Sequence, residues 1–262
     1  MPKKTKTSEP AIIWNAEQLR CTIFPSESPL SRDLKQLWIG LSEEKYDEYL
    51  ENPDQHQIVK QREEFQFTIT SHIDRVHFYF TPLEHSDSQE SPNLGFNFIG
   101  KYARMLPIFT QAIAPWLDME HWGAIHRVAT GAILLFPVES RIEGYKHLAR
   151  LLPSYTFNFD NTRDFSYQVN RHLDAEIGGT SSYINRIARW SVMRKQTIGI
   201  VLSDAEEPLK QALSPNKYAC RLFQDISTPQ DLTTNLESSE VPGIIEYLHK
   251  LSIEIAEKGD IV

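Results

Sequence analysis

Two short segments alternate apolar and polar residues at the period of a half-buried strand. Phe65, Phe67 and Ile69 alternate with Glu64, Gln66 and Thr68; Val76, Phe78 and Phe80 alternate with Arg75, His77 and Tyr79. Ser71-His72-Ile73-Asp74 lies between them, so the pair predicts a hairpin with one apolar face. Upstream, Leu19–Phe24 reads as a first strand that stops at Pro25. Leu30, Leu34, Leu37 and Leu41 then recur at helical spacing, from a start at Ser28 or Ser31. Glu43–Glu51 reads as a second short helix, capped by Ser42 and stopped at Asn52-Pro53. A polar loop occupies Glu84–Asn93. Leu94–Leu117 carries a helical period with Pro107 inside it, which predicts a kinked helix or two helices. Trp122–Val138 reads as a strand around the apolar run Ala132–Phe136.

The second half opens on Ser140-Arg-Ile-Glu143, the S-x-x-E capping box, and a helix marked by Ile142, Tyr145, Leu148 and Leu152. Strands are predicted around Phe165–Asn170, Tyr183–Arg194, Thr197–Leu202 and Tyr218–Ile226, with a short capped helix over Ser203–Leu213. Ile244, Leu248, Leu251 and Ile255 mark one face of a terminal helix, Glu246–Lys250 and Glu254–Lys258 form i,i+4 pairs on the other, and Gly259 ends it. The expected fold class is α+β with largely antiparallel sheets. The first half follows a βαββαβ, ferredoxin-like order. The second is a helix plus a strand meander, with the long terminal helix packed on the sheet. Residues 1–10 read as a disordered tail. Residues 11–138 and 139–262 read as two α+β subdomains, or one continuous domain with a soft boundary near Pro137–Ser140.

Composition narrows the class. The 262 residues are 40% hydrophobic and 24% charged, with 2 Cys, which excludes a disulfide scaffold, a collagen-like fibre, a coiled coil and a wholly disordered chain. Lys+Arg of 27 against Asp+Glu of 35 leaves a formal charge of −8, which disfavours nucleic acid and anionic membranes as partners. No apolar run approaches the ~20 residues that span a bilayer. The basic start Met1-Pro-Lys-Lys lacks the apolar stretch of a secretory signal. Cys21 and Cys220 lie far apart without metal-ligand spacing, and read as reduced buried thiols of a cytoplasmic protein. No metal, cofactor or catalytic residue is assigned.

Known catalytic signatures are absent: no G-x-S-x-G elbow, no P-loop, and no G-x-G-x-x-G after a strand. Asp160, Asp164 and Asp174 lack a downstream E-x-K, which argues against a metal-dependent nuclease. Gly178-Gly179-Thr180-Ser181-Ser182 reads as a flexible strand connection, and His72, Asp74 and His77 as a solvated turn. The densest polar feature is Arg171 with Asn185, Arg186, Arg189 and Trp190. Alternation along a strand puts Arg186, Trp190 and Arg194 on one face and Asn185 and Arg189 on the other. The arginines suit bidentate recognition of a phosphate or carboxylate, with His126 or His172 as an acid–base group. The candidate ligand-binding residues are therefore Arg171, Asn185, Arg186, Arg189 and Trp190.

The strings Arg127-Val-Ala129, Asn170-Arg171, Ile184-Asn185-Arg186-Ile187 with Trp190, Leu222 with Asp225-Ile226-Ser227-Thr228, and the terminal helix with His249 carry a resemblance. Over Gly123–Gly259 the chain resembles a sporadically distributed family of bacterial proteins of about this length. That family has no assigned reaction, so the resemblance implies no site residue. Such families often sit in mobile-element or defence gene sets. Two functions are expected from these features. The first is a non-enzymatic binding or assembly protein, with a protein partner or self-association through sheet edges. The alternative is an enzyme or small-ligand binder that takes an anionic ligand through an arginine cluster.

Overall fold

The computed structural model describes residues 12–260, apart from 43, 84–94, 118, 197, 202–209, 214, 233 and 238. The chain starts with β1 (Asn15–Pro25), a 3-10 turn at Pro29–Ser31 and α1 (Leu34–Leu41). It continues through β2 (Glu48–Asn52), β3 (Gln55–Gln61), β4 (Gln66–His72), β5 (Val76–Thr81) and the two-residue β6 (Gly100–Lys101). Next come α2 (Tyr102–Ile113), α3 (Met119–Trp122), β7 (Ile125–Val138), α4 (Arg141–Leu151), β8 (Ser166–Ile177) and β9 (Thr180–Lys195). The chain closes with β10 (Ile198–Val201), β11 (Lys210–Leu213), β12 (Lys217–Ser227) and α5 (Val241–Lys258).

One ten-stranded sheet runs β2-β3-β4-β5-β1-β7-β12-β9-β8, with β6 beside β1; β10 and β11 form a separate pair. Every pairing between these strands is antiparallel. The sheet crosses the midpoint of the chain without a break, because β7 pairs with β1 on one side and β12 on the other. The expected antiparallel α+β class and the packed terminal helix are thus present. The βαββαβ order of the first half is interrupted by an inserted hairpin, β2–β3, between α1 and β4, while β4, β5, β1 and β7 lie side by side in that order with every pair antiparallel.

β2 stands where the end of the helix Glu43–Glu51 was expected, and β3 follows it. β2 and β3 form a hairpin around Asn52-Pro53-Asp54-Gln55, with Asn52 Oδ1 accepting from the Asp54 amide at 3.2 Å. That is side-chain turn chemistry, and the proline favours it. β3 then pairs with β4 along its whole length and buries Ile58 and Val59, so sheet pairing overrides a weak local helix signal. Lys210–Leu213 is strand rather than the end of a helix; the rest of that expected helix, the Glu84–Asn93 loop and the N-terminal tail lie outside the described residues. The helix expected from Leu94 begins only at Tyr102. Pro107 sits in its exposed interior, where the carbonyl it leaves unbonded can face water.

The helices cover one face of the sheet. Leu19, Cys21 and Ile23 of β1 point there, with Phe78 and Phe80 of β5, Val128 and Leu134 of β7 and Leu222 and Ile226 of β12. Against them lie Phe109 of α2, Tyr145 and Leu148 of α4, and Val241, Ile245, Leu248 and Ile255 of α5. The terminal helix buries its stripe as expected, with Ile245 rather than Ile244 innermost. Polar groups on this face are paired across elements. Trp14 Nε1 donates to the Ala256 carbonyl at 2.8 Å, Tyr102 and Ser252 share a hydroxyl bond at 2.7 Å, and Gln224 Nε2 donates to the Ser252 carbonyl at 3.0 Å. These bonds set the position of α5 along the sheet, which apolar contact alone leaves adjustable. Cys21 and Cys220 are buried free thiols, and burial pushes both up to about 12. The Ser140 cap forms as expected, with its hydroxyl accepting from the Glu143 amide at 3.2 Å.

Candidate functional site

Among the described residues no helix packs against the opposite face at its centre, and there the sheet carries a depression of about 430 Å³. Its floor is made of small residues in neighbouring strands. Thr22 of β1 lies opposite Ala129 of β7, and one row along Arg20 lies opposite Gly131. Gly131 has a steric role: a Cβ there would stand 3.1 Å from Arg20 Nη2 and 3.1 Å from the Gln224 carbonyl oxygen. Without it, Arg20 lies across β7 and reaches Asp225 of β12, Nη2 to Oδ2 at 3.0 Å. Strand alternation explains the composition. Along β1, Leu19, Cys21 and Ile23 enter the core, so Arg20, Thr22 and Phe24 are left on this face.

The walls are basic and aromatic. Arg127 of β7 lies over the Phe24 ring, 4.7 Å to the centroid, and Arg75, just before β5, approaches the same ring at 5.7 Å. Arg127 Nη2 donates to Ser227 Oγ at 3.1 Å. Arg75 is held by Asp74 through two hydrogen bonds of 2.8 Å. His77 of β5 shares a 2.9 Å hydrogen bond with Thr22 through Nδ1, and His126 and Gln230 complete the rim. Arg20 Nε and Arg127 Nε are both buried and have no hydrogen-bond partner among the described residues.

The electrostatics follow from these neighbours. Burial pushes His77 down to about 4, and Arg20, His72 and Arg75 add to that. Burial, then Arg127, also lowers His126, against an opposing pull from Asp74. Both rings are therefore neutral near neutral pH. Burial lowers Arg127 too; Asp225 works against this, and Arg75 and Arg20 reinforce it. The charged groups lining the depression are three guanidinium groups and two carboxylates, Asp74 and Asp225. Among the described residues no group of three or more His, Cys, Asp or Glu is placed to hold a metal ion. No helix of the described residues is long and apolar enough to cross a membrane.

No protein-family model, curated protein or solved structure matches the chain.

The arginine cluster expected from sequence is split between the two faces. Arg171 of β8 lies opposite Arg186 of β9, and Tyr167 opposite Trp190, all on the helix-covered face. There Arg171 donates to Asp260 through Nε at 3.1 Å and Nη2 at 2.9 Å, while the Tyr167 hydroxyl donates to the same carboxylate at 2.7 Å. Arg171 thus ties β8 to the end of α5. Trp190 is 1% exposed and belongs to the core. Asn185 and Arg189 are on the open face: Asn185 Oδ1 accepts from Asn170 at 3.1 Å, and Arg189 lies 5.0 Å over the Phe223 ring. His172 stacks on Tyr183 with ring centroids 4.5 Å apart. Of the two histidines considered, His126 reaches the depression and His172 does not. Gly178 and Gly179, both at positive φ, make the tight two-residue turn between β8 and β9.

Sequence reasoning missed Arg20, Thr22 and Arg127 as a group. The signal was present in the alternation of Arg20-Thr22-Phe24 and of Arg127-Val-Ala129-Thr-Gly131. It could not be used without knowing that β1 and β7 are neighbours.

Proposed function

We propose that this protein binds a small anionic ligand in the depression on the open sheet face. One observation carries the reading: two buried arginine Nε–H donors without a partner among the described residues, on Arg20 and Arg127, belong to side chains that line a concave site floored by Thr22 and Ala129. A buried donor left unpaired costs about 1–3 kcal/mol, and an anion that accepts from it recovers that cost. The volume sits at the small end of ligand sites, which suits a metabolite-sized molecule. The reading assigns no reaction.

Titration with acetate or inorganic phosphate, followed by backbone amide NMR, tests it. Shifts should concentrate at Thr22, Ala129 and Ser227. Ala129→Leu fills the floor and should weaken binding at least about tenfold while the fold stays intact. Equal affinity in that variant, or shifts centred on Arg171 and Arg186, would refute the site.

The assembly reading rests on a separate observation. β8 ends the sheet as a 12-residue strand with alternate side chains exposed, and β9 is its one strand neighbour among the described residues. Such an edge can accept a strand from a protein partner or from a second copy. A native mass spectrum with a second chain would support it.

A further inference from the structure

We propose that the ligand's binding group is a monoanion whose charge is shared by two oxygens, a carboxylate or a phosphodiester, seated on Arg127. The inference rests on the anion-binding reading above and adds the charge and shape of the group.

The charges that line the site decide this. Three guanidinium groups face two carboxylates, which leaves one positive charge. Two of the three cations are already matched: Arg20 by Asp225 at 3.0 Å, and Arg75 by Asp74 through a bidentate pair. Arg127 is different. Its contacts are a neutral hydroxyl, Ser227 Oγ, and the face of Phe24; among the described residues no carboxylate lies within ion-pair distance of it. It is also half-buried with an unsatisfied Nε, so water compensates it poorly. A planar fork with free N–H groups matches two oxygens of one group. A single negative charge brings the site to neutrality. A dianion would overshoot this count and meet repulsion from Asp74 and Asp225, which line the same depression. Neutral His77 and His126 offer hydrogen bonds to the rest of the ligand without altering the count.

Three probes at pH 7.5 and constant ionic strength separate the possibilities: acetate, dimethyl phosphate and sulfate, each titrated by amide NMR. Acetate or dimethyl phosphate should bind at least about fivefold more tightly than sulfate, and the better of the two identifies the carboxylate or the phosphodiester. Asp225→Asn raises the site to two positive charges. It should shift the sulfate-to-acetate affinity ratio by at least about tenfold toward sulfate, a lower bound for one added charge interaction near a protein surface. Asp74→Asn, at an exposed pair, should shift it the same way and covers the case in which Asp225→Asn fails to fold. Arg127→Met should abolish acetate binding with the circular dichroism spectrum unchanged. Sulfate bound more tightly by the native protein, or a ratio unmoved in the folded Asp→Asn variants, overturns the monoanion assignment alone. Absence of binding by all three probes overturns the anion-binding reading beneath it.

Discussion

Replacing Asp260 by Asn tests whether Arg171 holds the fold together rather than a ligand. The Asp260 side chain is 1% exposed, and its carboxylate accepts from Arg171 Nε at 3.1 Å, Arg171 Nη2 at 2.9 Å and the Tyr167 hydroxyl at 2.7 Å. Burial pushes this carboxyl up, but the bonds from Arg171 and Tyr167 outweigh it and hold the group below the ordinary carboxylate value. Breaking a buried pair by removing one partner costs about 3–5 kcal/mol when the remaining charge cannot reach water. Here the Arg171 side chain is 32% exposed and can be rehydrated. The expected loss is therefore smaller, about 2 kcal/mol, or roughly 5 °C in Tm for a chain of this size. Urea unfolding of Asp260→Asn, Arg171→Met and the double variant measures it, and the coupling energy should exceed about 1 kcal/mol. The folded carboxyl lies below the unfolded value of about 3.9, so this stability is present above that pH and is lost as pH falls below it. Arg171→Met should leave anion binding unchanged, because the depression is on the opposite face. A loss under about 0.5 kcal/mol with no coupling would refute the tie. Weakened anion binding in Arg171→Met would refute the division of the arginines between the faces.

Two further outcomes follow from the same packing. Gly259 ends α5 at φ 80°, and a Cβ there would stand 2.0 Å from the Leu151 carbonyl oxygen, so Gly259→Ala should cost about 3 kcal/mol in urea unfolding as α5 shifts away from α4. His249 is buried, bonded to Thr110 Oγ1 at 3.0 Å through Nδ1, and burial pushes it from 6.5 down to about 4. The unfolded chain therefore takes up a proton between those values that the folded chain refuses. Lowering the pH from 7.5 to 5 should remove about 2 kcal/mol of stability through this group, and His249→Gln should remove that share of the slope while His77, also pushed down to about 4, keeps its own. An unchanged slope would show that His249 is not the group responsible.

How far the sequence reached depended on the range of the interaction that formed each element. The Phe65–Phe80 hairpin, the Ser140 capping box, the long strands at Tyr183 and Tyr218 and the stripe of the terminal helix all rest on local periodicity or a cap within a few residues. All of these are present in the structure. The region 43–61 failed because β2 and β3 are short, polar and stabilised by pairing with β4, a contact that no local pattern in the exposed β2 records. Strand alternation already divided Arg186 and Trp190 from Asn185 and Arg189; only the tertiary structure set Arg171 opposite Arg186 and gave it a partner, Asp260, 89 residues away.

By itself the sequence determined the class of the protein: an antiparallel α+β chain with a core-packed terminal helix and no long apolar span. Those properties follow from composition and from periods that each segment carries alone. The tertiary structure decided the rest. It made one sheet of both halves, seated every long helix on one face, and set Arg20, Thr22, Arg127 and Asp225 side by side from β1, β7 and β12. Strand order and register are collective results of burying the apolar faces together. A site built across three strands exists only after that choice has been made.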